Sequence, residues 1–230
     1  MLSCNSNKSL DIDNNLLTEY YYPFDSLINP KVFIYQRTDS ADKLTYHYQQ
    51  LIIKNKQKIL IRASFGDDGM LDSSIYSIIN NTPVLLETYT TVKDPKTNEI
   101  RPSKGKILKY VDYGVYREME FKFTDPFMSS LISIFNQEST FDTIIVYKLF
   151  DRDMDCIRYK YNMKRSVKYK YIPFFGKSYE RAGKVILAKG LGTVYYSITN
   201  LKNKSTISWK LKEIIDYKKF DNYKLMHKGI

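Results

Sequence analysis

Asp151-Arg152-Asp153-Met154-Asp155 places carboxylates at alternate positions, the spacing of this chain that most resembles a cation ligand set. A calcium loop takes oxygens from its first, third and fifth residues, and needs glycine at the sixth and glutamate at the twelfth. Those positions hold Cys156 and Asn162, so the segment reads as a solvated hairpin turn. His47, His227, Cys4 and Cys156 are the other residues of catalytic or metal-binding type. The cysteines stand far apart, with no CxxC or zinc spacing. A nucleophile needs a histidine within reach, and a pairing of His47 with Cys156 would have to come from the fold alone. Glu118 and Glu120 share one strand face and could form an acid–base pair for glycoside chemistry, but alternation on an exposed face explains them better. Asp67 and Asp68, between Gly66 and Gly69, are turn formers. No GxSxG, HExxH or phosphate loop occurs, and Lys104-Gly105-Lys106 is a loop rather than a Walker motif. The expectation is a protein that is not an enzyme, with no catalytic residue, no metal and no cofactor.

The elements that would carry any site are strands. The chain has 230 residues, 43% hydrophobic and 27% charged, which suits a folded domain with a real core. It holds 21 Tyr and 12 Phe against one Trp, and aromatic residues fit a pleated, half-buried surface. The net charge of +11 could serve nucleic acid, an anionic membrane surface, or simply solvated outer faces of strands. In the densest basic stretch, Arg158, Lys160, Lys164, Arg165, Lys168 and Lys170 alternate with Tyr159, Tyr161, Tyr169 and Tyr171. Period two sends bases and rings to opposite faces. A single-strand reader needs both on one face, so no nucleic acid is expected as partner. No apolar stretch is long enough for a membrane-crossing helix.

Strand patterns run over Lys31–Thr38, Leu44–Ile53, Lys58–Phe65, Ser73–Ile79 and Val84–Val92. A long polar loop is expected from Asp94 through Gly105, then a hairpin, Ile107–Tyr113 and Val115–Phe123, around Gly114. One helix is expected over Asp125–Gln137. Thr124 or Asp125 caps it, Pro126 sits in its first turn, and Phe127, Leu131, Ile134 and Phe135 fall on one face. Strand patterns resume over Phe141–Phe150, Cys156–Met163, Val167–Pro173, Lys184–Ile198 and Thr206–Ile215, with a turn at Asn200–Lys204. The expected fold class is mainly β, a curved antiparallel sheet or half-barrel with one helix packed on the concave face. Residues 1–18 read as a polar tether and 19–230 as one antiparallel β domain.

Two segments carry a resemblance. Leu2-Ser3-Cys4, followed by polar Asn5-Ser6-Asn7-Lys8-Ser9, resembles the end of a bacterial lipobox, with Cys4 as the acylated residue; the alternative is a chance cysteine in a tail. A Cys4–Cys156 disulfide is the other possible use of that thiol. Ala188-Lys-Gly-Leu-Gly-Thr-Val-Tyr-Tyr196 looks like the penultimate strand of Bacteroidetes envelope lipoproteins with a lipoprotein-localisation-factor type of curved sheet. That resemblance implies an envelope protein, periplasmic or surface-facing at the outer membrane, holding acyl chains against a concave face and lipid-anchored through Cys4 if an apolar leader precedes Met1. It carries no catalytic residue. The helix residues Phe127, Leu131, Ile134 and Phe135 then become the ligand-binding candidates. The expected function is a non-enzymatic envelope lipoprotein that binds a lipid or other apolar ligand and rests on an anionic membrane surface. The alternative is a structural or interaction module with an envelope protein partner.

Overall fold

The structure is a computed structural model and describes residues 17–66 and 69–220, with side chains at all of them except 173–175. Alternating apolar and polar residues form twelve strands: β1 (Lys31–Arg37), β2 (Ser40–Lys54), β3 (Gln57–Gly66), β4 (Gly69–Ile79), β5 (Thr82–Lys93), β6 (Ile100–Asp112), β7 (Tyr116–Thr124), β8 (Leu131–Leu149), β9 (Arg152–Tyr169), β10 (Ile172–Ala188), β11 (Gly192–Asn200) and β12 (Thr206–Asp216). Each pairs antiparallel with the next, and β1 pairs with β12, so the meander closes into a barrel. Closure removes the free edges that a half-barrel would leave exposed. The expected half-barrel is therefore corrected to a closed barrel.

The closing strand explains itself in sequence. Val32, Phe33, Ile34 and Tyr35 are all at most 1% exposed, so β1 is buried on both faces and reads as an unbroken apolar run. Phe33 and Tyr35 face the interior core with Leu51 and Leu60. Val32 and Ile34 lie under Phe220, Leu44 and Tyr46 on the outer side. A short 3₁₀ turn at Tyr217–Lys219 brings Phe220 there.

At one end, three hairpins use two-residue turns: Asn55-Lys56, Asn80-Asn81 and Phe150-Asp151. All six residues have φ between 49° and 64°. This is the mirror-image turn whose twist matches paired strands. Asp151 is thus a turn residue, and Asp153 and Asp155 fan out along β9 rather than gathering on a cation. The chain entering β1 covers the same end. Leu17 and Tyr20 are buried, and Leu27, in a 3₁₀ turn at Phe24–Leu27, is fully so. Leu17, at the end of the expected tether, is therefore part of this floor. Tyr22 meets Phe33 edge-on at 5.2 Å, Lys58 pairs with Asp25 at 2.7 Å, and Gly190 N–H donates to the Glu19 carbonyl at 2.8 Å.

The expected helix over Asp125–Gln137 does not form. Asp125 Oδ1 accepts from the N–H groups of Phe127 (2.8 Å) and Met128 (3.0 Å), the bonds of a helix cap. The chain then turns and runs as β8, paired with β7 from Ile132 to Thr140 and with β9 along its length. Apolar residues four apart fit both periods, since four is even as well as one helical turn. Other boundaries shift: Cys156–Met163 and the start of Val167–Pro173 are one strand, β9, which ends at Tyr169 before β10 begins at Ile172. Arg101–Gly105 is not loop but part of β6, laddered to β5. The expected strand over Lys184–Ile198 is two, because Gly190 (φ +73°) and Gly192 (φ +77°) make a turn. Asp67 and Asp68 lie outside the described residues.

Tyr161 on β9 crosses Gly183 on β10 and donates to the Ser197 carbonyl on β11 at 2.7 Å. A Cβ at position 183 would lie 2.0 Å from that carbonyl oxygen and 2.5 Å from the Tyr161 hydroxyl. Backbone cannot yield cheaply there. Gly183→Ala is expected to cost about 1–3 kcal/mol in chemical denaturation, and Tyr161→Phe about 0.5–1.5 kcal/mol for the lost hydrogen bond. Leu27→Ala, which empties the floor, is expected to cost about 2–5 kcal/mol. An unchanged midpoint for Gly183→Ala would refute the close-approach account.

Candidate functional site: a cup with an apolar wall and a cationic floor

Barrel diameter grows with strand number, and eight strands already leave an interior just wide enough for side chains. Twelve leave space. Above the floor an open chamber of about 710 Å³ lies between β4, β5 and β7–β10. Alternate residues supply its wall. Met119, Phe121 and Phe123 come from β7, Leu131 and Phe135 from β8, Met163 and Val167 from β9. Phe121 stacks on Phe135 with ring centroids 6.0 Å apart. Gly105 leaves room for Phe123, whose ring edge would be 2.7 Å from a Cβ there. The mouth is the end with the β5–β6, β7–β8 and β9–β10 connections, and Arg165, Arg181 and Tyr179 stand exposed beside it.

A smaller chamber of about 210 Å³ lies below, against Leu17, Tyr21 and Tyr22 of the floor. Gln137 lines both chambers. The lower one is polar, with His47 and Gln49 on β2, Arg62 on β3, Arg117 on β7, Ser139 on β8 and Tyr159 on β9. The Arg117 guanidinium pairs with Asp112 at 2.6 Å and donates to the Tyr21 hydroxyl at 3.2 Å. Burial pulls its pKa down, but Tyr21, Asp112 and Tyr110 outweigh that and hold it above the ordinary value. His47 sits 4.6 Å from the Tyr35 ring and 5.7 Å from Tyr196, centroid to centroid. Burial, and then the Arg62 charge, push it down to about 4, so it is neutral at physiological pH. Burial also raises Asp72 in the open chamber, opposed by a hydrogen bond with Ser64.

Of the four sequence candidates, Leu131 and Phe135 line the open chamber, as strand rather than helix residues. Ile134 alternates to the outer face. Phe127 lies in the β7–β8 turn, under the Arg101 guanidinium carbon at 4.6 Å from the ring centroid. Glu118 is bound by Lys109 at 2.6 Å and by the Tyr116 hydroxyl at 3.0 Å, which lower its pKa and keep it ionised, unsuited to a general acid. His47 and Cys156 are not brought together. Cys156 packs with Leu149, Ile186 and Ala188, and burial, with Asp155, pushes its thiol up to about 11. Among the described residues no cluster of His, Cys, Asp and Glu could hold a metal. Cys4 and His227 lie outside the described residues.

The sequence reading missed the luminal arginines. Arg165 was grouped with the outward bases, yet it shares the inner face with Met163 and donates to Ser133 Oγ at 2.8 Å. The signal was available: Arg62 stands two residues from the fully buried Leu60, and period two puts both on one face.

This geometry defines a twelve-stranded, up-and-down antiparallel β-barrel that is a cup. No protein-family model matches the chain, and no curated protein does. Solved structures do resemble it. A proposed exported protein with a YmcC-like fold from Bacteroides fragilis shares 9% identity at a TM-score of 0.50, covering 82% of this chain and 96% of that one. A proposed lipoprotein from Parabacteroides distasonis shares 12% identity at a TM-score of 0.49, covering 84% and 97%. The hypothetical lipoprotein YmcC from Escherichia coli K12 shares 9% identity at a TM-score of 0.32, covering 88% and 89%. The likeness to the Bacteroides protein is one of fold.

The neutral His47 has a consequence in acid. The unfolded chain takes up a proton near the ordinary histidine value of 6.5, and the folded chain does so only near 4. The stability that neutral His47 confers is complete above the first value and declines as pH falls toward the second, by about 1.4 kcal/mol per pH unit at most. His47→Leu should flatten the stability profile between those limits, most clearly above the carboxylate range. The measurement is a denaturation midpoint series against pH; an unaltered slope would refute it. Cys156 should stay unreactive toward a thiol reagent until the protein is denatured.

Proposed function

We propose that this protein is a non-enzymatic cell-envelope protein that holds a lipid or other amphipathic ligand in the open chamber of its barrel. The observation that carries the reading is the chamber itself. At about 710 Å³ it has the size of ligand pockets in general, with an apolar wall on β7–β9 facing hydroxyl and carboxyl side chains on β4 and β5, and a free mouth. Neither histidine nor cysteine lines it, and no metal-holding cluster occurs among the described residues. The outer face supports a protein beside a membrane rather than across one. Glu120 and Lys122 on β7, and Lys160 and Lys164 on β9, point outward where a spanning barrel would carry an apolar band. No helix among the described residues is long and apolar enough to cross a membrane. The net charge of +11 suits an anionic surface. An envelope location is also in keeping with the likeness to the exported Bacteroides protein, and acylation of Cys4 belongs to the same reading.

A second reading, an interaction module of an envelope complex, is favoured by one feature. Val146 and Phe150, at the β8 end of the β8–β9 hairpin, are 67% and 51% exposed. Co-purification of an envelope protein that is lost on Val146→Lys would favour it.

The test of the first reading is displacement of a fluorescent fatty acid from delipidated protein. Phe135→Arg, which places a charge in the apolar wall, should weaken uptake about tenfold or more while the strand circular dichroism persists. Delipidated wild type that takes up no probe would overturn the reading. Cys4→Ser, expressed from the full gene, should lose labelling by palmitate and leave the membrane fraction.

A further inference from the structure

We infer that the ligand carries a single oxyanion head, a carboxylate or a phosphate monoester, and that this head seats on Arg62 at the bottom of the open chamber, with the apolar tail toward the mouth. The inference rests on the reading of the chamber as an amphiphile site and goes further by naming the head and its direction. Arg62 stands on β3 between Gln49 of β2 and Ser74 of β4. Its guanidinium carbon lies 5.2 Å from the ring centroid of Tyr76, which lines the open chamber, while Arg62 itself lines the lower one. It therefore occupies the boundary between them. Its Nε is buried and has no hydrogen-bond partner among the described residues.

Its charge differs from those of the neighbouring arginines in having no answering carboxylate among the described residues. Arg117 has Asp112, and Arg165 has Ser133 and the open mouth. Arg62 pairs with no carboxylate among the described residues, and its cation–π contact with Tyr76 supplies no counter-charge. Asp72, on the adjacent strand, does not serve. It lines the open chamber and makes no ion pair with Arg62; desolvation raises its pKa, opposed by a hydrogen bond with Ser64. His47 and Tyr35, the titratable groups on the β1–β2 side, are both uncharged at neutral pH. A guanidinium cannot shed its proton to escape burial. An external anion would supply both the counter-charge and a partner for the buried Nε, and a planar fork of N–H donors fits the two oxygens of a carboxylate or phosphate. Gln49 and Gln137 stand near as neutral donors for the remaining lone pairs.

Four probes separate the possibilities: dodecanoate, dodecyl phosphate, dodecanol and inorganic phosphate, each titrated calorimetrically into delipidated protein. Wild type should bind the two anionic amphiphiles about tenfold or more tighter than dodecanol. Arg62→Gln should erase that preference with dodecanol affinity unchanged and no fall in thermal midpoint, since a charge without a carboxylate partner has been removed. Arg62→Met, of similar length, gives a second uncharged replacement should the glutamine variant fold poorly. The Arg165→Gln/Arg181→Gln double variant should keep the preference. Preference retained in both Arg62 variants overturns the assignment. Loss of preference in the double variant alone does too, because the head would then sit at the mouth. Tight binding of inorganic phosphate without any amphiphile overturns the amphiphile and leaves a free-anion site. If even dodecanol fails to bind, the broader reading falls first.

Discussion

The ladder between β1 and β12 is the constraint on which the rest depends. Eleven of the barrel's strand pairs join neighbours in sequence, and each could form as a local hairpin. The twelfth joins the two ends of the domain, with Lys31 opposite Asp216 and Arg37 opposite Trp209. Without it the sheet has two long edges and no enclosed interior. β1 is buried on both sides, Lys31 and Asp216 are joined by an ion pair at 2.5 Å, and Phe220 covers the outer face.

From closure follow the site's two halves. A barrel this wide cannot be filled by its own side chains, so something must cap it, and residues 17–27 do so at one end only. Where the cap lies, Leu27, Phe33, Leu51 and Leu60 form a packed core. Where it does not, Phe121, Phe135 and Met163 face an open space. Polar groups collect at the boundary, because that is where the wall is neither packed nor in contact with bulk water. Arg62, Arg117, His47 and Gln137 all stand there.

Strand content was legible in the sequence because period two is written plainly in segments such as Lys58–Phe65 and Cys156–Met163. Closure was not, because a ladder between residues at opposite ends of the chain leaves no local signal. The false helix shows the limit of periodicity. Phe127, Leu131 and Phe135 are spaced by four, which suits either period, and the Asp125-Pro126 start looks like a cap whether a helix or a tight turn follows. Ile132 and Ile134, β-branched and on the other face, were the counter-signal. The luminal arginines were hidden differently. Arg165 sits in a run of bases that otherwise face outward, and only strict counting from Met163 puts it inside. Leu131 and Phe135 were named for a different element and still fall on the chamber wall, since two residues four apart share a face in both structures.

An even number of strands also fixes a polarity. A meander that goes up and down twelve times returns to the side from which it set out, so the start of β1 and the end of β12 share the capped end. Anything fastened ahead of residue 17 therefore holds the barrel by its base. If Cys4 is acylated as proposed, the attachment enters the barrel at the capped end, and a ligand held as proposed would enter by the opposite one.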